Sequence, residues 1–288
     1  MKQPAIRRLA VMVNPGKTGS SPLVAQLKRL FRRLGVESRW VHALEFETPG
    51  APEVVTQHDD GLLVSVGGDG TLLQAARRSL GSGVPLLGIN AGSLGFLTSV
   101  GRHAVLACMP RILAGEYEVS ERMTLAVRVL RQGKTLAKGW ALNEAVIFRG
   151  HHAHMIRLNV DVSGHHLSDY MCDGLLLATP TGSTAYSLSA GGPVVSPAAA
   201  VFLITPICAH SLTNRPVILD ARDVVRVRVP SRSPALALSL DGTACVDLVS
   251  GDEVEIRRDA RSVRLVHLPE NDFYAVLRQK LRWSGSSV

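Results

Sequence analysis

Along roughly the first 114 residues, short unbroken apolar runs alternate with stretches whose apolar positions recur every three to four residues. Unbroken runs suit strands buried on both faces and the longer period suits helices packed on them, so βαβ units around a mainly parallel sheet are expected. "RLAVMV" (8–13), "GLLVSV" (61–66) and "VPLLGIN" (84–90) read as strands. Leu23, Leu27, Leu30, Phe31 and Leu34 fall on one helical face, with Gly35 placed to cap its end. "TLLQAARRSL" and "HAVLACMPRILAG" read as two further helices, and the whole has the look of a doubly wound α/β domain.

After about residue 117 the period falls to two. Met123, Leu125, Val127 and Val129 alternate with polar or small residues, "RQGK" makes a turn, and "WALNEAVIF" and "HMIRLNVDV" follow as single strands. "DVVRVRVP", "ALALSLDG", "DEVEIRR" and "SVRLVHL" continue the alternation as separate strands spaced by turn residues, which predicts an antiparallel β-rich domain. At the end, "NDFYAVLRQKLRW" returns to helical spacing, with Asn271 as N-cap and Phe273, Val276, Leu277 and Leu281 on one face. The expected division is residues 1–118 as the α/β domain and 119–269 as the β-rich domain, with a helix at 270–283 packing back on the first.

Composition narrows the class. With 288 residues, 46% of them hydrophobic, the chain can fill two ordinary cores. The apolar run Leu9–Val13 is shorter than a secretory core segment, and "AAAVFLITPICA" is too short to span a bilayer and is broken by Pro206, so the expected location is cytoplasmic and the membrane is no partner. Four cysteines, at 108, 172, 208 and 245, form no CxxC pair and are expected as buried, reduced thiols. A net charge of +8 favours anionic partners; nucleic acid is set aside, because only 5% of residues are aromatic and no binding signature appears.

Four stretches carry candidate chemistry. "NPGKTGS" holds Gly-Lys-Thr, but the position five before Gly16 is Val11, so it is no P-loop. "GGDGT" (67–71) ends a strand and opens a helix, where free N–H groups bind phosphate well, yet position 73 is Leu and the dinucleotide fingerprint fails. An aspartate among phosphates is unfavourable unless it takes a proton or binds a metal; the alternative is that Asp69 caps its own turn. "TPTGSTAYSLSAGGPVVSP" (179–197) is either a wall of hydroxyl and backbone donors with Tyr186 for stacking, or a surface loop. Asn143 and Glu144 stand inside an apolar strand, where an adjacent polar pair needs partners. The histidines at 151, 152, 154, 165 and 166 lack the companions of a metal site, and no metal ligand is assigned.

Together the motifs resemble the bacterial NAD kinases over nearly the whole chain: "GGDGT" at 67, "GINAGSLGFLT" at 88, "LNEAV" at 142, "DGLLLATPTGSTAYSLSAGGP" at 173 and "SLDGT" at 239. "GGDGT" is shared with diacylglycerol and sphingosine kinases; the long motif is nearly diagnostic. The resemblance implies an N-terminal doubly wound α/β domain, a C-terminal antiparallel β-sandwich-like domain, and transfer of the ATP γ-phosphoryl to the adenosine ribose 2′-hydroxyl of NAD to give NADP. It implies Asp69 as general base with Gly70 beside it, Asn143 and Glu144 at the dinucleotide, and ligand contacts from His154, Asp173 and Thr243. Thr184, Ala185, Tyr186, Ser187, Leu188 and Ser189 would line the site, with Phe96 a packing neighbour. It further implies Mg²⁺ arriving with ATP and a homodimer or homotetramer. Where many relatives carry arginine two residues before the "DG" aspartate, this chain has Met171. A diacylglycerol-type lipid kinase and a non-catalytic nucleotide sensor are the alternative readings.

Overall fold

A computed structural model describes residues 3–16, 20–42, 61–92, 95–150, 154–231, 235–270 and 273–283, apart from the side chains of 244 and 245. The chain divides into two compact units, Met1–Glu121 with Val263–Val288, and Arg122–Ser262.

In the first unit, β1 (Arg8–Val13), α1 (Ser20–Arg33), β2 (Glu37–His42), β3 (Leu63–Gly67), α2 (Asp69–Arg77), β4 (Leu86–Asn90), β5 (Val100–Gly101) and α3 (Val105–Leu113) follow in order. The strands pair in parallel in the order β2-β1-β3-β4-β5. Every residue of β3 and β4 is buried, as unbroken apolar runs require when helices cover both faces. Leu23, Leu27, Leu30 and Phe31 of α1 join this core. Leu34 does not. The Val36 N–H bonds to the Phe31 carbonyl and the Gly35 N–H to that of Arg32, with Gly35 at φ +66°, so the helix ends in a Schellman motif with Leu34 as its exposed C-cap. Strand β2, "ESRWVH", escapes the apolar-run criterion because it is a half-exposed edge, anchored where Trp40 packs on Phe31.

The second unit carries two antiparallel sheets around one apolar core. Its strands are β6 (Glu118–Arg131), β7 (Lys134–Ala141), β8 (Glu144–Phe148), β9 (Ile156–Val162), β10 (His165–Cys172), β11 (Gly174–Ala178), β12 (Val201–Ile207), β13 (Val217–Asp220), β14 (Val225–Arg228), β15 (Leu236–Leu240), β16 (Thr243–Leu248) and β17 (Glu253–His267). One sheet runs β10-β9-β14-β17-β6-β7, the other β13-β12-β11-β8-β15-β16. The α/β domain with a β-sandwich-like partner is the architecture expected. Pro206 sits within β12 without breaking it, since β13 pairs only as far as Ile204 and leaves no partner there for the missing N–H.

Three expected elements differ. "WALNEAVIF" is not one strand: β7 ends at Ala141 and β8 begins at Glu144 in the other sheet. "DEVEIRR" and "SVRLVHL" are one strand, β17, because Asp259 is held by Arg261, two residues on along the same face, and no turn forms. The final helix, α5 (Phe273–Lys280; α4 is Tyr186–Ser189), is shorter than 270–283 and buries only Leu277; Asn271 lies outside the described residues. The cysteines also depart from expectation: Cys172 is buried and Cys108 half-buried, but Cys208 is exposed at φ +48° on the turn leaving β12, and Cys245 lies outside the described side chains. Among the described residues, no helix is long and apolar enough to cross a membrane.

Candidate active site

Asp69 opens α2 directly after the glycines that end β3. A side chain at Gly67 would strike Thr71, so this glycine is required by close packing of strand on helix. Gly68 is the N-cap and receives no side-chain cap, so Asp69 does not cap its own turn. Its carboxylate instead reaches a loop more than 25 residues away. Oδ2 accepts the Phe96 N–H at 2.8 Å, while Oδ1 accepts the N–H groups of Leu97 (3.3 Å) and Thr98 (3.2 Å) and lies 3.3 Å from the Thr98 hydroxyl. Phe96 therefore meets Asp69 through its backbone. A Cβ on Gly95 would collide with the same carboxylate, which explains the glycine beginning "GFLT". Gly70 is different: exposed, helical, and with nothing near a built Cβ among the described residues, so no packing contact there requires a glycine.

In the second unit the crossing from β7 to β8 is built on Asp241. With Gly242 it forms the positive-φ turn joining β15 to β16, and its carboxylate accepts the N–H groups of Leu142 (2.9 Å), Asn143 (2.7 Å) and Glu144 (3.1 Å). Three backbone donors thus leave the ladder for one side chain, which is why the strand breaks there. Thr179 closes the other side, its hydroxyl bonding to the Leu142 carbonyl and its N–H to that of Asn143. Gly182 packs so tightly that a Cβ would meet the Asn143 backbone.

This scaffold buries Asn143 and Glu144 yet leaves Asn143 Oδ1 and Glu144 Oε2 without a hydrogen-bond partner among the described residues. Burial pushes the Glu144 carboxyl up to about 7, nearby Asp241 adds to this, and the Tyr186 N–H opposes it. Glu144 lines a cavity of about 520 Å³ together with Arg149, Asp173, Tyr186, Cys208 and Ser239. Arg149 pairs with Asp173 at 3.3 Å across it.

Of the expected site residues, Glu144, Asp173 and Tyr186 meet at this cavity. Asn143 is beside it in sequence, and Thr184, Ala185, Leu188 and Ser189 lie on the segment around Tyr186, a 3-10 turn (Gly182–Thr184) followed by α4. Ser187 turns inward, fully buried with its hydroxyl on that of Thr205 at 3.0 Å. Thr243 is exposed at the start of β16, and His154 is exposed just before β9. His151 to Ala153 and Lys17 to Gly19 lie outside the described residues. Met171 stands opposite Arg157 in the β9–β10 pairing, with the guanidinium 3.7 Å from its sulfur, so a cation occupies the same sheet face one strand away. Sequence reasoning missed Gly95, Thr98, Arg149 and Asp241; the quoted "GFLT" and "SLDGT" stretches contained three of them, without indicating where their side chains go. Among the described residues, no group of three or more His, Cys, Asp or Glu is placed to hold a metal ion.

The model of the ATP-NAD kinase N-terminal domain matches residues 7–117, and that of the ATP-NAD kinase C-terminal domain matches 142–268. The NAD kinase of Symbiobacterium thermophilum is 46% identical over 231 residues, 80% of this chain and 82% of that protein. The NAD kinase of Magnetococcus marinus is 38% identical over 269 residues, 92% of this chain and 88% of the relative. Among solved structures, yeast NADH kinase complexed with NADH aligns with a TM-score of 0.84 at 26% identity, covering 99% of this chain and 90% of that one. An NAD kinase from Archaeoglobus fulgidus in complex with ATP aligns with a TM-score of 0.73 at 25% identity, covering 96% of this chain and all of the other. Both domain models match in order along one chain, one spanning the loop that ends in Asp69 and the other the segment that buries Asn143 and Glu144, and the chain belongs to the NAD kinase family.

Proposed function

We propose that this chain transfers the γ-phosphoryl of ATP to the adenosine ribose 2′-hydroxyl of NAD, giving NADP and ADP, with Asp69 as the general base. A carboxylate is a far weaker base than an alkoxide, so Asp69 accepts the proton late, as the oxygen–phosphorus bond forms. Asn143 and Glu144 hold the dinucleotide, with Asp173, Tyr186 and the segment from Thr184 to Ser189 around it; Gly70 lets phosphate approach the α2 backbone, and His154 and Thr243 contribute outer contacts. Mg²⁺ enters as part of the donor substrate, its charge offsetting that of the phosphates. The family resemblance further supports a cytoplasmic homodimer or homotetramer, which light scattering of the pure protein tests.

The observation that carries the reading is the buried oxygen of Glu144, without a donor among the described residues, beside a cavity of about 520 Å³. A ribose hydroxyl supplies the donor it lacks. Incubating the protein with ATP, Mg²⁺ and NAD and detecting NADP with an NADP-specific dehydrogenase is expected to give product. Phosphorylated lipid without NADP would favour the lipid kinase instead, and nucleotide binding without turnover would favour a sensor.

A further inference from the structure

The Thr98 hydroxyl has neighbours that fix the direction of its proton. Asn90 Oδ1 accepts the Gly92 N–H at 2.7 Å, which turns the amide so that Nδ2 faces Thr98 at 3.0 Å. The Gly95 N–H approaches the same hydroxyl at 3.1 Å. Both of these groups can only donate, so they take the two lone pairs of Oγ1, and its single proton is left for Asp69 Oδ1 at 3.3 Å. Thr98 and Asn90 are each only 2% exposed, so water does not compete.

The consequence falls on the two oxygens of Asp69. Among the described residues, Oδ1 receives the Leu97 N–H, the Thr98 N–H and the Thr98 hydroxyl, whereas Oδ2 receives the Phe96 N–H alone. We infer that Thr98 is a positioning residue that engages Oδ1 and leaves Oδ2 as the oxygen that takes the substrate proton. Resting on Asp69 as the base, this assigns the atoms of the step. The 2′-oxygen bonds to the γ-phosphorus, the bond from that phosphorus to the bridging oxygen breaks with its electron pair leaving on ADP, and the hydroxyl proton passes to Asp69 Oδ2. The tether from Asn90 at the end of β4 through Thr98 sets the orientation of the carboxylate before substrate arrives.

Steady-state kinetics and thermal unfolding of Thr98→Val, Thr98→Ser and Asp69→Asn test this. Thr98→Val is expected to lower kcat about 10- to 100-fold, the range a small misplacement of a catalytic group produces, with KM for NAD and ATP within about threefold. Thr98→Ser, which keeps the hydroxyl, is expected to return kcat to within about threefold of the parent. Should Thr98→Val fail to fold, Thr98→Cys, with a weak S–H donor, is expected to show an intermediate loss. A Thr98→Val enzyme with parental kcat, or a serine variant as slow as the valine, overturns the inference while Asp69→Asn remains inactive. Full turnover by Asp69→Asn instead removes the base and this inference with it.

Discussion

The two units treat their carboxylates in opposite ways. Asp69 of the first is half-buried and surrounded by four donors from one short loop, Phe96 to Thr98. Glu144 of the second is only 6% exposed, gains one N–H from Tyr186, faces the charge of Asp241, and keeps an oxygen with no partner among the described residues. Asp241 shows that the second unit does not lack donors: three successive N–H groups point at it rather than at Glu144. A buried acceptor left unsatisfied costs about 1–3 kcal/mol, which a fold shaped by stability alone would remove. The contrast fits the proposed roles: a base held in place by several donors with one oxygen left to take a proton, and a ligand contact left for the ligand to complete.

The sharpest way to break this comparison is to neutralise the carboxylate held by four donors. Asp69→Asn keeps the shape but presents an amide to donors that a carboxylate satisfies, and it cannot accept the proton. Turnover is expected to fall at least about 100-fold with NAD binding retained, as read by kcat and by equilibrium titration. Gly95→Ala tests position rather than charge. The three atoms nearest the added methyl all belong to the Asp69 carboxylate, so the substitution displaces that group first. A loss of about 10- to 100-fold in kcat with an almost unchanged Tm is expected. Equal kcat in this variant would show that the loop does not set the base.

How legible these features were depends on how far each contact reaches along the chain. The core of the first unit was readable because β3 and β4 are apolar at three of five positions each and α1 repeats its leucines on one face. The edge strand β2 was not, since half its residues face outward and "ESRWVH" carries no run. Leu34 continues the helical period in sequence, yet Gly35 ends the helix before it. Asn143 and Glu144 announced themselves as polar residues in an apolar stretch, but the strand break came from Asp241, almost 100 residues on. Three of the four donors around Asp69 are backbone N–H groups, which every residue but proline owns, so no choice of side chain at Phe96 or Leu97 marks them.

Glu144 offers the next largest effect, and its sign differs between binding and stability. Its carboxyl is raised from 4.5 to about 7 in the folded chain, so between those pH values the folded state holds a proton that the unfolded state has released. Stability therefore falls as pH rises across that window, and above it the whole cost of the buried charge is present. Glu144→Gln removes the cost: unfolding at pH 4 is expected to match the parent, and at pH 8 the variant is expected to be more stable by about 1–3 kcal/mol. KM for NAD is expected to rise about 10-fold, because a hydrogen bond to a charged acceptor is lost. A glutamine variant that is less stable than the parent at pH 8 would mean that Glu144 is already satisfied in the free protein, and the contrast with Asp69 would collapse.

The smallest effect belongs to Gly70, a glycine of "GGDGT" that no packing contact among the described residues requires. Gly67 needs its missing side chain to clear Thr71; Gly70 has open space where a Cβ would point and no positive φ. Within a helix glycine is less favourable than alanine by about 0.8–1 kcal/mol, so Gly70→Ala is expected to raise stability by up to that amount. If phosphate approaches the backbone at this turn, the same methyl stands in its way, and kcat/KM is expected to drop about 5- to 10-fold. Opposite signs in the two measurements place Gly70 with Glu144, among residues kept for the ligand at the expense of the fold. A variant that is more stable and equally active would leave the glycine unexplained by either, and would confine the contribution of the "GGDGT" loop to Asp69 and the strand–helix packing at Gly67.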